Sequence, residues 1–518
     1  MRRVCLAGFL ALLTVTVALA DQPPREVSAD GHETVLVVPS ATDGQVIARN
    51  DEVPYPAQPD WQNSLRRQVG GLQVADLNGD GWNDVVVGCY ISNSYPPYTD
   101  WENLIYYNVG GELEADPSWV SADEVSTGDV QVGYVNDDAY LDIFAANGGG
   151  LSYPSVVYYG GPDGPDPTPD WQSAEPGGAW NNYGLLVDLD NDGDTDLVTA
   201  NQGASQDDPT RPMFMFLNDG TGLPAVPSWQ SAETSIQGFL AAADWDHDGY
   251  PEIAVSKWVN YRSAIYDTRG GLLQTTPIWT TGDTDSDKGV AFADVDHNGW
   301  QDLALGHDPT QLWLQDDGAM TLAWESQATY FGHSDLRFVD VDRDGDEDLA
   351  ECHFSDGKVH IYLNRGGVLD GAPSWTYDSP TVGTAIAFGD LNGDGWPDLV
   401  VGNSGEPCVK VFYATPDPTA ADLPPAGLRF TGAAPNPFNP RTEIGFVVPA
   451  ASVVTLRVFD AAGRLVRTLV DGRVLAAGAH RAAWDGTADT GRPLPSGVYL
   501  CRFQSAGQAA SLPVILAK

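Results

Sequence analysis

A fourteen-residue stretch, ADLNGDGWNDVVVG from Ala75, returns six more times at a spacing of about fifty residues. The copies are GYVNDDAYLDIFAA at Gly133, VDLDNDGDTDLVTA at Val187, ADWDHDGYPEIAVS at Ala243, ADVDHNGWQDLALG at Ala293, VDVDRDGDEDLAEC at Val339 and GDLNGDGWPDLVVG at Gly389. A period of this length belongs to arrays whose units bury apolar surface against their neighbours. A second mark keeps step: Trp61, Trp119, Trp171, Trp229, Trp279, Trp324 and Trp375 each fall fifteen to seventeen residues before the second residue of a copy. Between copy and tryptophan lie short apolar runs such as VVYYGG, FMFLNDG and VHIYLN, bounded by Gly, Pro, Asn and Asp. Each unit therefore reads as four short strands. Four strands at this period describe one propeller blade. The fold class is all-β: a seven-bladed β-propeller followed by a small Ig-like β-sandwich.

The first tryptophan precedes the first acidic stretch, and the last stretch is followed by only two strands, DLVVGN and CVKVFYA. The strand around Trp61 is thus expected to complete the last blade, leaving no open edge. The tryptophans read as blade-to-blade packing rather than a ligand stack.

The acidic stretch follows D-x-[DN]-x-[DN]-G-x-x-[DE]. Calcium takes six to eight oxygen ligands. This pattern offers side chains at positions 1, 3, 5 and 9 and a carbonyl near position 7, and glycine at position 6 permits the sharp turn. An EF-hand would need glutamate at position 12, where the first copy has Val87, and flanking helices. The loop is therefore a nine-residue turn of a β-hairpin. Here the sequence resembles the FG-GAP/VCBS repeats of integrin-α-like propellers, which carry such calcium loops in successive blades.

The expected ligands are Asp76, Asn78, Asp80 and Asp84; Asp188, Asp190, Asp192 and Asp196; Asp244, Asp246, Asp248 and Glu252. Three further sets follow: Asp294, Asp296, Asn298 and Asp302; Asp340, Asp342, Asp344 and Asp348; Asp390, Asn392, Asp394 and Asp398. The second copy departs, with Tyr134 at position 1 and Ala139 at position 6, leaving Asn136, Asp138 and Asp142. It is expected to be empty or weak, so five or six structural Ca2+ ions are anticipated. Metal-free Asx turns are the alternative.

The chain of 518 residues carries 72 acidic and 26 basic residues, a net charge of −46. That charge excludes nucleic acid and anionic lipid as partners and suits cations. Only the stretch from Pro435 to Lys518 is basic, with nine basic against five acidic residues. The N-terminus, MRRVCLAGFLALLTVTVALA before Asp21, has the form of a signal peptide ending in Ala18-Leu19-Ala20. No transmembrane segment is expected after its removal. Cys89, Cys352, Cys408 and Cys501 form no CxxC pair, and their pairing stays open.

If the acidic loops occupy one face, the opposite face carries the varied connections. Its aromatic candidates are Tyr95, Tyr98, Trp101, Trp180, Tyr183, Trp258 and Tyr261. Aromatics mixed with Asn, Asp and Gly suit an extracellular glycan or protein ligand. No motif of a nucleophile, metalloprotease or phosphate loop stands in a suitable context, so no catalytic residue is assigned. A secreted polysaccharide lyase or hydrolase is the alternative.

After a Pro/Ala-rich linker the text changes. TEIGFVV, VTLRVFD, RLVRTLV, HRAAWDG and GVYLCRF alternate as half-buried strands, with turns at DAAGR and PSG. With NPFNP at 436–440, WDG at Trp484–Gly486 and SGVY at Ser496–Tyr499, this module resembles type IX secretion sorting domains and the Ig-like fold of flagellar hook-capping proteins. The resemblance implies recognition by outer-membrane secretion machinery and a secreted or cell-surface location in a bacterium. The boundaries are 1–20 signal peptide, 21–54 N-terminal segment, 55–415 propeller, 416–433 linker and 434–518 C-terminal domain.

Overall fold

The computed structural model describes residues 53–415 and 429–516 with gaps, the longer ones at 91–99, 149–152, 176–180, 202–210, 283–286, 328–332 and 435–440. The signal peptide, Tyr95, Tyr98, Trp180, the NPFNP stretch and most of the linker lie outside the described residues.

Each blade has four antiparallel strands; blades two to six are separate sheets, while the first and seventh are joined into one eight-stranded sheet by the pairing of Arg67 with Gly405 and Gln68 with Ser404. The first runs Arg67–Ala75, Asp84–Cys89, Leu104–Tyr106 and Trp119–Val120; the second Thr127–Gly133, Asp142–Asn147, Val156–Tyr158 and Trp171–Gln172. The third runs Asn181–Val187, Asp196–Asn201, Phe214–Phe216 and Trp229–Gln230; the fourth Gln237–Ala243, Glu252–Lys257, Ala264–Tyr266 and Trp279–Thr280. The fifth runs Val290–Ala293, Asp302–Leu305, Gln311–Asp316 and Ala319–Glu325; the sixth His333–Val339, Asp348–His353, Lys358–Tyr362 and Trp375–Asp378.

The seventh blade takes Val382–Gly389, Asp398–Gly405 and Val409–Phe412 from the end of the propeller, and its fourth strand is Trp61–Gln62. Trp61 pairs with Val411 and Gln62 with Lys410. The Asn63 side chain continues the seam, its Oδ1 accepting the Cys408 N–H at 3.0 Å.

The second strand of every blade is buried along its length. That fits the β-branched and small residues that fill it between neighbouring blades. The outer-strand tryptophan stands edge-on to an aromatic in the third strand of the next blade: Trp61 on Tyr106, Trp119 on Tyr158, Trp171 on Phe216, Trp279 on Trp313, Trp324 on Tyr362 and Trp375 on Phe412. Their centroids lie 5.1–5.7 Å apart, in the edge-to-face range. The indole N–H of Trp119 also donates to the Pro165 carbonyl of the next blade at 2.8 Å.

At the centre the innermost strands approach closely. A Cβ on Gly128 would lie 2.5 Å from the Asn182 carbonyl, so only glycine fits there.

The C-terminal module has a three-stranded sheet (Arg429–Ala434, Thr442–Val448, Gly478–Trp484) and a four-stranded one (Leu465–Leu475, Ser452–Asp460, Gly497–Ser505, Gln508–Leu516). Ile444, Phe446, Val454, Leu456, Trp484 and Phe503 share its buried core. All four described cysteines are free and buried.

Candidate metal centres

The acidic loops join the first and second strands of each blade, so all lie on one face with the loops between third and fourth strands. Their internal bonding repeats. In the first loop Asp76 Oδ2 accepts the Gly81 N–H at 2.8 Å, Asn78 Oδ1 that of Asp80 at 2.9 Å, and Asp80 Oδ1 that of Trp82 at 2.9 Å. Positions 1, 3 and 5 are thereby aimed inward. The glycine at position 6 is left-handed in six loops, with φ from +85° at Gly395 to +100° at Gly193. The second loop has Ala139 there and Tyr134, half exposed, at position 1.

Position 9 is fully buried in every blade. One of its oxygens accepts the N–H of loop position 2, and the other accepts an N–H just past the third strand. Asp84 takes Leu77 at 3.0 Å and Asn108 at 2.8 Å; Asp196 takes Leu189 and Asn218, both at 2.8 Å. Asp302 takes Val295 and Gln315; Asp348 takes Val341 and Asn364. The position 2 side chains, from Leu77 to Leu391, are buried in the core and anchor the loop.

Burial, opposed by those backbone bonds and reinforced by neighbouring carboxylates, pushes Asp84, Asp196, Glu252 and Asp398 up to about 7. Asp302 rises to about 6 and Asp348 to about 8 for the same first cause. A cation beside them would reverse the effect.

The carboxylates converge. Ligand atoms of Asp188, Asp190 and Asp196 lie within 4.8 Å of one another, as do those of Asp244, Asp246 and Asp248, and of Asp294, Asp296 and Asp302. Asp188 Oδ1 and Asp294 Oδ1 are buried without a hydrogen-bond partner. An orphaned carboxylate oxygen facing other carboxylates is costly unless a cation completes it. The residues present therefore fit a hard metal ion bound through oxygen.

Three features of these centres were not anticipated from the sequence. Asp267, buried just past the third strand of the fourth blade, groups with Asp246 and Glu252, and its Oδ1 has no hydrogen-bond partner. Alignment of the third strands would have exposed it, since Tyr107, Tyr159 and Leu217 hold the same place. Position 4 is left-handed at Asn191, His247, His297 and Arg343, and these side chains reach the next loop. Asn191 donates to the Gly249 carbonyl, His247 stacks on Trp300 at 4.0 Å, His297 Nε2 lies 2.7 Å from Asp346 Oδ1, and Arg343 sits over Trp396 at 5.3 Å. Finally, the residue after the third strand bridges blades. The Asn218 amide donates to the Val135 carbonyl, Gln315 to Trp245, Asn364 to Val295 and Asn108 to Leu391.

Of the aromatic candidates on the other side, Trp101, Tyr183, Trp258 and Tyr261 are among the described residues. Tyr183 lies half-buried in the innermost strand of the third blade, its ring tilted against that of Phe239 with centroids 4.2 Å apart, and burial raises its phenol far above the usual range. Trp258 is half-buried with Lys288 Nζ 4.2 Å over its ring, and burial lowers that lysine to about 8. Trp101 and Tyr261 are half-buried.

Seven blades with these loops, followed by a small sandwich, make this an all-β chain of a propeller and a C-terminal β-sandwich. The FG-GAP-like repeat model matches residues 188–255 and 340–401, and the FlgD Ig-like domain model matches residues 441–508. The chain is 34% identical over 97 residues to integrin alpha-IIb of Homo sapiens, covering 17% of this chain and 9% of the integrin. Among solved structures it is similar to BBS1N in complex with ARL6DN (14% identity, 70% of this chain, 97% of that one, TM-score 0.47). It is also similar to PorZ, a surface component of the type IX secretion system of Porphyromonas gingivalis (13% identity, 87% and 60% covered, TM-score 0.41).

Proposed function

We propose that this chain is an exported, calcium-loaded propeller that binds an extracellular glycan or protein at a bacterial surface, with its Ig-like domain engaging the export or anchoring machinery. The observation that carries the calcium reading is the pair of orphaned position 1 oxygens, Asp188 Oδ1 and Asp294 Oδ1, each among carboxylates of its own loop. Calcium, when bound, supplies positive charge to those oxygens and chemistry of no other kind. The chain's own residues do the rest: position 9 fastens the loop to the blade, and positions 1, 3 and 5 are oriented by backbone N–H groups. Export is supported by the FlgD Ig-like domain and by the signal-peptide form of residues 1–20. Among the described residues no helix is long and apolar enough to cross a membrane.

The ligand reading rests on a division of labour. The acidic loops, linked to one another, crowd one face, which leaves the opposite face, where the second strand of each blade ends, for recognition. Calorimetric titration of the chelator-treated chain tests the first part, with five or six calcium ions expected. No heat and an unchanged melt would reduce the loops to turns. A glycan array probed with the calcium-loaded chain tests the second part. Calcium-independent retention, or retention on the C-terminal domain alone, would refute it.

A further inference from the structure

We propose a second, chemically different metal site in the sixth blade, in which Glu351, His353 and His360 hold one divalent transition-metal ion, zinc being the ion that suits this donor set. It does not depend on the calcium reading, because its ligands lie within the blade and not in the loops.

The argument starts from the repeat. In the sixth blade Glu351 on the second strand pairs with His360 on the third. At the same register the fifth blade pairs Leu305 with Gln311 and the seventh Val401 with Lys410, each one apolar residue against one polar, and the other four blades pair Val87 with Leu104, Ala145 with Val156, Thr199 with Phe214 and Val255 with Ala264. Those last four pairs are apolar or nearly so, as a core between blades requires. The sixth blade alone places a carboxylate and an imidazole opposite each other there and adds His353 two residues on. All three are 2% exposed or less. Burying this much polarity costs stability unless something completes it.

The geometry fits an ion. One ligand atom from each residue lies within 4.8 Å of the others. Glu351 Oε1 and His353 Nε2 are 3.0 Å apart, close to the roughly 3.3 Å that separates two ligands of a tetrahedral zinc. The two imidazole rings are near perpendicular with centroids 5.1 Å apart. Outer partners orient the donors, as they do around bound metals. Tyr362 donates its hydroxyl to Glu351 Oε1 at 2.8 Å, Thr310 donates to Oε2, and His360 Nδ1 lies 2.9 Å from Thr376 Oγ1. The Thr376 contact turns Nε2 of His360 into the ligating nitrogen. Two imidazoles and a carboxylate prefer zinc or a neighbouring transition ion to calcium.

The test uses the metal-stripped full chain in excess calcium, which occupies the acidic loops, with Co2+ as the probe. One equivalent of cobalt should enter with the visible absorption of a low-coordinate nitrogen/oxygen site, and zinc should displace it. The double variant Glu351→Val/His360→Leu installs the Val87–Leu104 pair of the first blade, so it keeps the fold while losing the band. His353→Asn, the residue found at Asn147, Asn201 and Asn403, should lose it too. Absence of a band in the wild type, its persistence in the double variant, or displacement of cobalt by calcium would each overturn the proposal.

Discussion

The ninth residue of each loop does two jobs that conflict at neutral pH. Its carboxylate fastens the loop by accepting two backbone N–H groups, yet burial raises it toward 7. A carboxylate whose folded value exceeds its unfolded value near 4 binds more protons in the folded state across that interval. Stability of the chelator-treated protein should therefore fall as pH rises from about 4 to about 7. Excess calcium should flatten that fall, since the ion favours the charged form. Urea midpoints across this pH range, with and without chelator, measure both curves. A flat profile in chelator would contradict the burial argument. At the same scale, Asp188→Ala should remove one calcium from the calorimetric count. At an ion concentration about a hundredfold above Kd it should also cost about 2.7 kcal/mol of stability.

A blade is held to its neighbours through few kinds of contact, each repeated. The edge-on tryptophan is one and the bridging amide is another. Trp61→Ala removes the contact with Tyr106 and weakens the seam, and should cost about 3–5 kcal/mol in a urea melt. Asn218→Ala leaves the buried Val135 carbonyl without its donor and should cost about 1–3 kcal/mol. The two kinds of contact differ in how well they can be read from sequence. The tryptophans and loop positions 1, 3, 5, 6 and 9 are legible because each recurs in nearly every copy, so the period itself separates them from background. The bridging Asn and Gln were passed over because they end apolar runs, where FLN and YLN read as strand followed by turn. The reach of Asn191, His247, His297 and Arg343 was illegible for another reason: residue type at position 4 varies, and only the left-handed backbone shared by all four aims them at the next loop. Asp267 is legible once the third strands are aligned, whereas the Glu351–His360 pair needs register between strands, which the sequence does not carry.

For the whole molecule, the centres act together. Five or six ions, each contributing as above, should raise the melting temperature of the chain by on the order of 15 °C over its chelator-treated form. Differential scanning calorimetry would show this, and a shift of only a degree or two would mean that the loops bind too weakly to matter. The contacts between successive loops predict that the ions are lost over a narrow range of chelator rather than one by one.

The seam between the first and last strands also sets a clock. Asn63 meets Cys408 across 345 residues of chain, so the N-terminal strand waits for the rest of its blade until nearly the entire propeller has been made. Closure over so long a loop is slow. Ring closure should therefore be the last step of propeller folding, with the earlier blades already formed when the N-terminal strand finds its place.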